Sequence, residues 1–80
     1  MDPNAVAKLI EQGLPDANAE VTTDGSGHYE ATVVSAAFDG ERSLRRHQMV
    51  YGTLGELVGG EIHALNLKTF TPEEWRSQVN

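Results

Sequence analysis

Apolar residues recur along the chain in two rhythms, and the rhythm changes at breaks that contain glycine or proline. Val6, Leu9 and Ile10 fall at helical spacing, which predicts a first helix over residues 3–12. Asp2 suits the N-cap and Pro3 the first helical position, while Gly13 and Pro15 mark the end. Alternation then takes over. Ala19 to Thr23 reads as a short strand and His28 to Ser35 as a second. In the second, Tyr29, Ala31 and Val33 share one face, with His28, Glu30 and Thr32 on the other. Asp24-Gly25-Ser26-Gly27 is a compact turn, so the two strands are expected to form an antiparallel hairpin.

Helical spacing returns after the turn at Phe38-Asp39-Gly40. Ser43 reads as the cap of a helix running to Val58, with His47, Val50, Tyr51, Leu54, Leu57 and Val58 as its stripe and Gly59-Gly60 as its stop. Ile62 to Thr69 reads as a third strand. Thr71-Pro72-Glu73-Glu74 fits a capping box, with Phe70 and Trp75 at the staple positions, which predicts a short last helix to Gln78. The order helix, strand, strand, helix, strand, helix predicts a single α+β domain over residues 1–80. Its apolar stripes would be buried by a three-stranded mixed sheet with helices packed on one face. The last strand can join parallel to a hairpin strand by a crossover.

A chain of 80 residues buries only about 60% of its unfolded surface, so the core is thin and a shallow surface site or docking face is expected. There are 12 acidic and 6 basic residues, for a net charge of −6, which argues against a surface that attracts nucleic acid as a whole. Arg42, Arg45 and Arg46 nevertheless cluster at the start of the second helix, the end where the helix dipole disfavours positive charge. They are read as a partner or anion contact. Cysteine is absent, which excludes disulfides, a thiol nucleophile and a self-sufficient thiolate metal site. Metal binding would fall to His28, His47, His63 and carboxylates. No apolar run approaches the roughly 18 residues of a membrane span. Met1-Asp2-Pro3-Asn4 lacks the basic start and apolar stretch of a signal peptide, so a cytoplasmic location is expected. Ser35, Ser43 and the histidines show no triad spacing, and an enzyme is not expected. Gly52-Thr53-Leu54-Gly55 spells GxxG, but it lies within the helical stripe rather than in the loop that clamps nucleic-acid backbone.

Three blocks stand out together: His28-Tyr29-Glu30-Ala31-Thr32-Val33-Val34-Ser35; Phe38-Asp39-Gly40 with Arg46-His47-Gln48-Met49-Val50-Tyr51; and Ile62-His63-Ala64-Leu65 with Thr71-Pro72-Glu73-Glu74-Trp75. Their order and spacing resemble the BolA family, over nearly the whole chain, and the short hairpin loop resembles its compact bacterial branch. The resemblance implies a fold like a class II KH domain. It also implies pairing with a monothiol glutaredoxin, a bridging two-iron two-sulfur cluster, and a part in iron–sulfur trafficking, iron sensing or stress response. In that complex the thiolates come from glutaredoxin and glutathione, histidine comes from the BolA side, and the chain alone holds no cluster. A DNA-binding role is proposed for some members, which gives the alternative of a nucleic-acid-binding regulator using the basic start of the second helix.

His63 matches the family's characteristic C-terminal histidine, the usual cluster ligand. A neutral imidazole can replace a thiolate on iron, as in Rieske centres. Read as a residue alone, His63 is equally a histidine at the start of a strand, bonded to backbone. Many relatives carry a second histidine or cysteine in the loop after the first strand, whereas Asp24-Gly25-Ser26-Gly27 holds neither. His28 directly after it is the second metal candidate. His47, Phe70, Thr71, Glu74 and Trp75 are read as structural, with Trp75 a stability residue if its ring is buried.

Overall fold

A computed structural model describes residues 1–79; Asn80, the last position of the expected domain, lies outside the described residues. The first helix, α1, spans Pro3–Gly13, and the Asp2 side chain caps it by accepting from the Asn4 N–H. It lays Val6, Ala7 and Ile10 on the core. Strands β1 (Asn18–Thr23) and β2 (His28–Val34) form the expected antiparallel hairpin. A single 3-10 turn, Ala36–Phe38, follows and sinks Phe38 completely.

The second long helix, α2, spans Ser43–Leu54, shorter than the helix to Val58 that the stripe suggests. Gly52 and Gly55 are weak helix formers. The chain leaves the helix at Gly55 and continues as a 3-10 turn, Gly55–Leu57. Leu57 and Val58 still pack on the core, but from that turn rather than from the helix. At the other end the cap is Arg42, whose extended backbone offers its carbonyl to the Arg46 N–H. Ser43 is therefore the first helical residue and not the cap.

Strand β3 begins at Ala64 and ends at Phe70, two residues later than Ile62. Ile62 is consumed by a tight turn: its N–H donates to the Leu57 carbonyl, the Gly59 N–H donates to its own carbonyl, and it bridges to Val58. β3 then runs parallel to β2, with His28 opposite Ala64 and Val34 opposite Phe70, so the sheet order is β1-β2-β3. The last helix, α3, spans Pro72–Val79 and follows Thr71 directly. This is an α+β fold with a three-stranded mixed sheet.

Tyr29, Ala31 and Val33 meet Val6, Ile10, Leu14, Phe38, Val50, Leu54 and Ile62 in one buried cluster. Those residues come from the side of the sheet covered by α1 and α2. The other side carries Glu20, Thr22, Glu30, Asn66 and Lys68, all exposed. No helix among the described residues is long and apolar enough to cross a membrane.

Candidate functional site

The parallel register brings the start of β2 and the start of β3 to one end of the sheet. That end carries two of the three histidines. His63 is exposed, and its backbone is held from both sides. Ile62 before it is fully buried, and the His63 N–H donates to the Gly27 carbonyl at 2.8 Å. Ala64 N–H shares that carbonyl at 3.2 Å. An exposed ring on an anchored backbone is what a metal ligand requires.

His28 opens β2 on the uncovered face of the sheet and is also exposed. Its Nδ1 lies 3.2 Å from Asp24 Oδ2 and 3.3 Å from Ser26 Oγ. Ser26 donates both its hydroxyl (2.7 Å) and its N–H (2.8 Å) to Asp24 Oδ1. These bonds from Ser26, and to a lesser degree the one from His28, hold the Asp24 carboxyl down at about 2. Asp24 is therefore a carboxylate at neutral pH and can only accept. In a neutral His28 ring, this acceptor favours the tautomer with its proton on Nδ1 and its lone pair on Nε2, the arrangement found behind metal-bound imidazoles. The sequence presents Asp24 and Ser26 only as turn residues; the signal was an acceptor four positions before a histidine across a tight turn.

The two rings sit against different partners, His28 against Asp24 and Ser26 and His63 against Gly27. His63 precedes β3 and lies outside its alternation, while His28 takes the side of Glu30 and Thr32. A shallow concavity of about 470 Å³ agrees: it is lined by Thr22, Asp24, His28, Glu30, Ala64 and Asn66, without His63. No three histidine or carboxylate side chains among the described residues are grouped to hold a metal ion. The metal-facing reading thus rests on His63, with His28 as a second exposed histidine.

The basic cluster is divided. Arg42 and Arg45 are exposed at the start of α2. Arg46 is folded inward: it donates Nε–H to the Glu41 carbonyl at 2.8 Å, lies over the Phe38 ring, and pairs with Glu74. It lines a broad concavity of about 670 Å³ with Asp39, Glu73 and Glu74, an acidic setting unsuited to phosphate. His47 is half-buried on α2 beside the buried Val50, and no hydrogen bond to its ring is found among the described residues.

The capping box forms as read: Glu74 N–H donates to Thr71 Oγ1 at 3.1 Å and Thr71 N–H to Glu74 Oε1 at 2.9 Å. Trp75 packs against Phe70 with ring centroids 5.3 Å apart and ring planes inclined at 59°. The residue stays 37% exposed and lines a shallow concavity with Glu20, Thr32 and Val34 of the open face. It is thus a surface residue packed on Phe70 and not a core residue.

Comparison with known proteins agrees with this architecture. A family model described as BolA-like protein matches residues 7–74. The chain is 44% identical over 55 residues to the DNA-binding transcriptional regulator BolA of Escherichia coli, covering 69% of this chain and 52% of that protein. The match thus spans about half the length of that regulator. The acid stress protein IbaG of the same organism is 34% identical over 76 residues, covering 94% of this chain and 89% of IbaG. Among solved structures, a BolA protein homologue from Coxiella burnetii superposes with a TM-score of 0.85 at 38% identity, covering 95% of this chain and 97% of that one. From residues and fold together, the chain belongs to the BolA-like protein family.

Proposed function

We propose that this chain is a non-enzymatic, cytoplasmic adaptor for iron–sulfur cluster assembly, trafficking or iron sensing. It docks on a monothiol glutaredoxin and shares a bridging two-iron two-sulfur cluster through His63. The carrying observation is His63 itself: an exposed imidazole on an anchored backbone, in a chain with no cysteine. The donor set fits a shared cluster and not a resident one. A two-iron cluster takes four protein or cofactor ligands, and no group of three candidates exists among the described residues. The remaining ligands would be thiolates from glutaredoxin and glutathione. The chain's own contribution is to hold one neutral ring nitrogen at the docking surface, without a negative charge.

The test is co-expression with a monothiol glutaredoxin, followed by absorption and circular dichroism spectroscopy. The mixed complex is expected to be coloured and the chain alone colourless. His63→Ala is expected to leave the fold intact and to replace the mixed spectrum with that of a glutaredoxin-only cluster. His28→Ala should do less. A His63→Ala complex with the unaltered spectrum and cluster lifetime would remove His63 from the ligand set.

A second reading, a DNA-binding regulator, is favoured by the exposed Arg42 and Arg45. The matched relatives from E. coli and Haemophilus influenzae also bear the name DNA-binding transcriptional regulator. The net charge of −6 weighs against it.

A further inference from the structure

The hairpin turn ends on Gly27, and that glycine touches the site more closely than any turn requires. Its carbonyl receives two N–H groups, from His63 and Ala64. Its φ is +91°, a conformation that L side chains rarely adopt. A Cβ built there would lie 2.5 Å from His63 Cδ2, 3.0 Å from Cγ and 3.3 Å from Cβ. The edge of the imidazole fills the volume that a side chain at position 27 would occupy. Backbone conformation alone does not account for this. Gly25, in the same turn, has φ +87°, yet a Cβ there would meet nothing within 4 Å. The two glycines share one backbone requirement and differ in what they face.

We propose that Gly27 is a positioning residue for His63: its absent side chain is the seat on which the imidazole rests, and its carbonyl fixes the backbone that carries the ring. The proposal rests on the reading of His63 as the metal-facing residue. It assigns the short hairpin loop a role in the site although the loop holds neither histidine nor cysteine.

The experiment compares Gly25→Ala with Gly27→Ala. Both carry the strain of a positive φ, but only the second intrudes on the ring. In the isolated protein, the His63 ring is followed by its Hδ2 shift and its nuclear Overhauser contact to the residue 27 backbone. Gly25→Ala is expected to keep both, and Gly27→Ala to lose the contact and move the shift. In the mixed complex, Gly27→Ala is expected to shorten the cluster lifetime about tenfold or more, the usual effect of removing an outer-sphere support. Gly25→Ala is expected to leave it near the wild-type value.

The same pair in a His63→Ala background completes the test. With no ring to displace, Gly27→Ala should be no more harmful than Gly25→Ala. If Gly27→Ala alone does not fold, the His63→Ala/Gly27→Ala double variant is expected to fold as well as Gly25→Ala does. An unmoved ring in Gly27→Ala, or an equal penalty with and without His63, overturns the proposal. A wild-type complex that holds no cluster overturns the adaptor reading instead, and the ring measurement on the protein alone still decides the seat.

Discussion

Arg46 on α2 and Glu74 on α3 meet in two parallel hydrogen bonds, Nη1–Oε1 at 2.7 Å and Nη2–Oε2 at 3.2 Å. The same Glu74 Oε1 accepts the Thr71 N–H, so one carboxylate both caps α3 and ties it to α2. Glu74 is held below the ordinary carboxylate range, first by Arg46 and then by the Thr71 N–H. Arg46 is raised in turn, chiefly by Glu74.

Arg46→Ala removes the bond to the Glu41 carbonyl and the cover over Phe38 as well as the pair. The expected cost is about 2 kcal/mol, the scale of a charged hydrogen bond on a mostly covered side chain. That corresponds to a fall in Tm of about 10 °C for a domain of this size. Arg42→Ala and Arg45→Ala, on exposed side chains, should stay within about 0.5 kcal/mol of wild type. Thermal denaturation of the three variants checks both statements; equal melting temperatures would show the bridge to be idle.

Asp24 and Glu74 both ionise more readily folded than unfolded, so the unfolded chain binds more protons in acid and stability falls as pH falls. The contribution of Asp24 is complete above its ordinary value of 3.8 and is lost on the way down to about 2. That of Glu74 begins to fade below 4.5. Carboxyl NMR should give Asp24 a midpoint near 2. Asp24→Asn should flatten the pH dependence of stability in that lower window. A midpoint near 3.8 would mean that the Ser26 bonds do not persist in solution.

Trp75→Ala should be milder than a core deletion, since the residue is 37% exposed and loses mainly its tilted contact with Phe70. About 0.5–1.5 kcal/mol is expected from the aromatic pair. Phe38→Ala, at 0% exposure, should cost about 3–5 kcal/mol. Denaturant titration of the two variants orders them, and the reverse order would show α3 to be the keystone of the domain.

If the chain binds DNA through α2, salt sensitivity reports how many arginines take part. Two free side chains, Arg42 and Arg45, predict that the double Ala variant lowers the slope of log K against log salt by about two. Arg46→Ala should leave that slope unchanged. A change in slope on Arg46→Ala would mean that the Glu74 pair opens on binding.

The periodic parts of the chain were legible because alternation and helical spacing decide which side faces the core. Tyr29, Ala31 and Val33 fall where their spacing places them, and the Thr71–Glu74 box follows from residue chemistry at fixed offsets. The end of α2 was not legible, because Leu57 and Val58 are apolar and partly buried on the same core, from a 3-10 turn and the residue after it. Arg46 looked like its two neighbours, because nothing local reveals a partner 28 positions away. Trp75 illustrates the same limit: its staple partner is local, but its exposure depends on where α3 sits against the sheet. At the candidate site, His63 is singled out by resemblance alone, whereas its contact with Gly27 exists only once β3 is paired with β2.

That pairing also sets when the site can come into being. Gly27 and His28 leave the ribosome before His63 does. Strands so far apart in the chain join slowly compared with a hairpin. A nascent chain stalled before Ile62 would carry the hairpin, α1 and α2 but no anchored imidazole. The anchored position of the His63 ring therefore belongs to the long-range pairing of β3 with β2 and not to the hairpin alone.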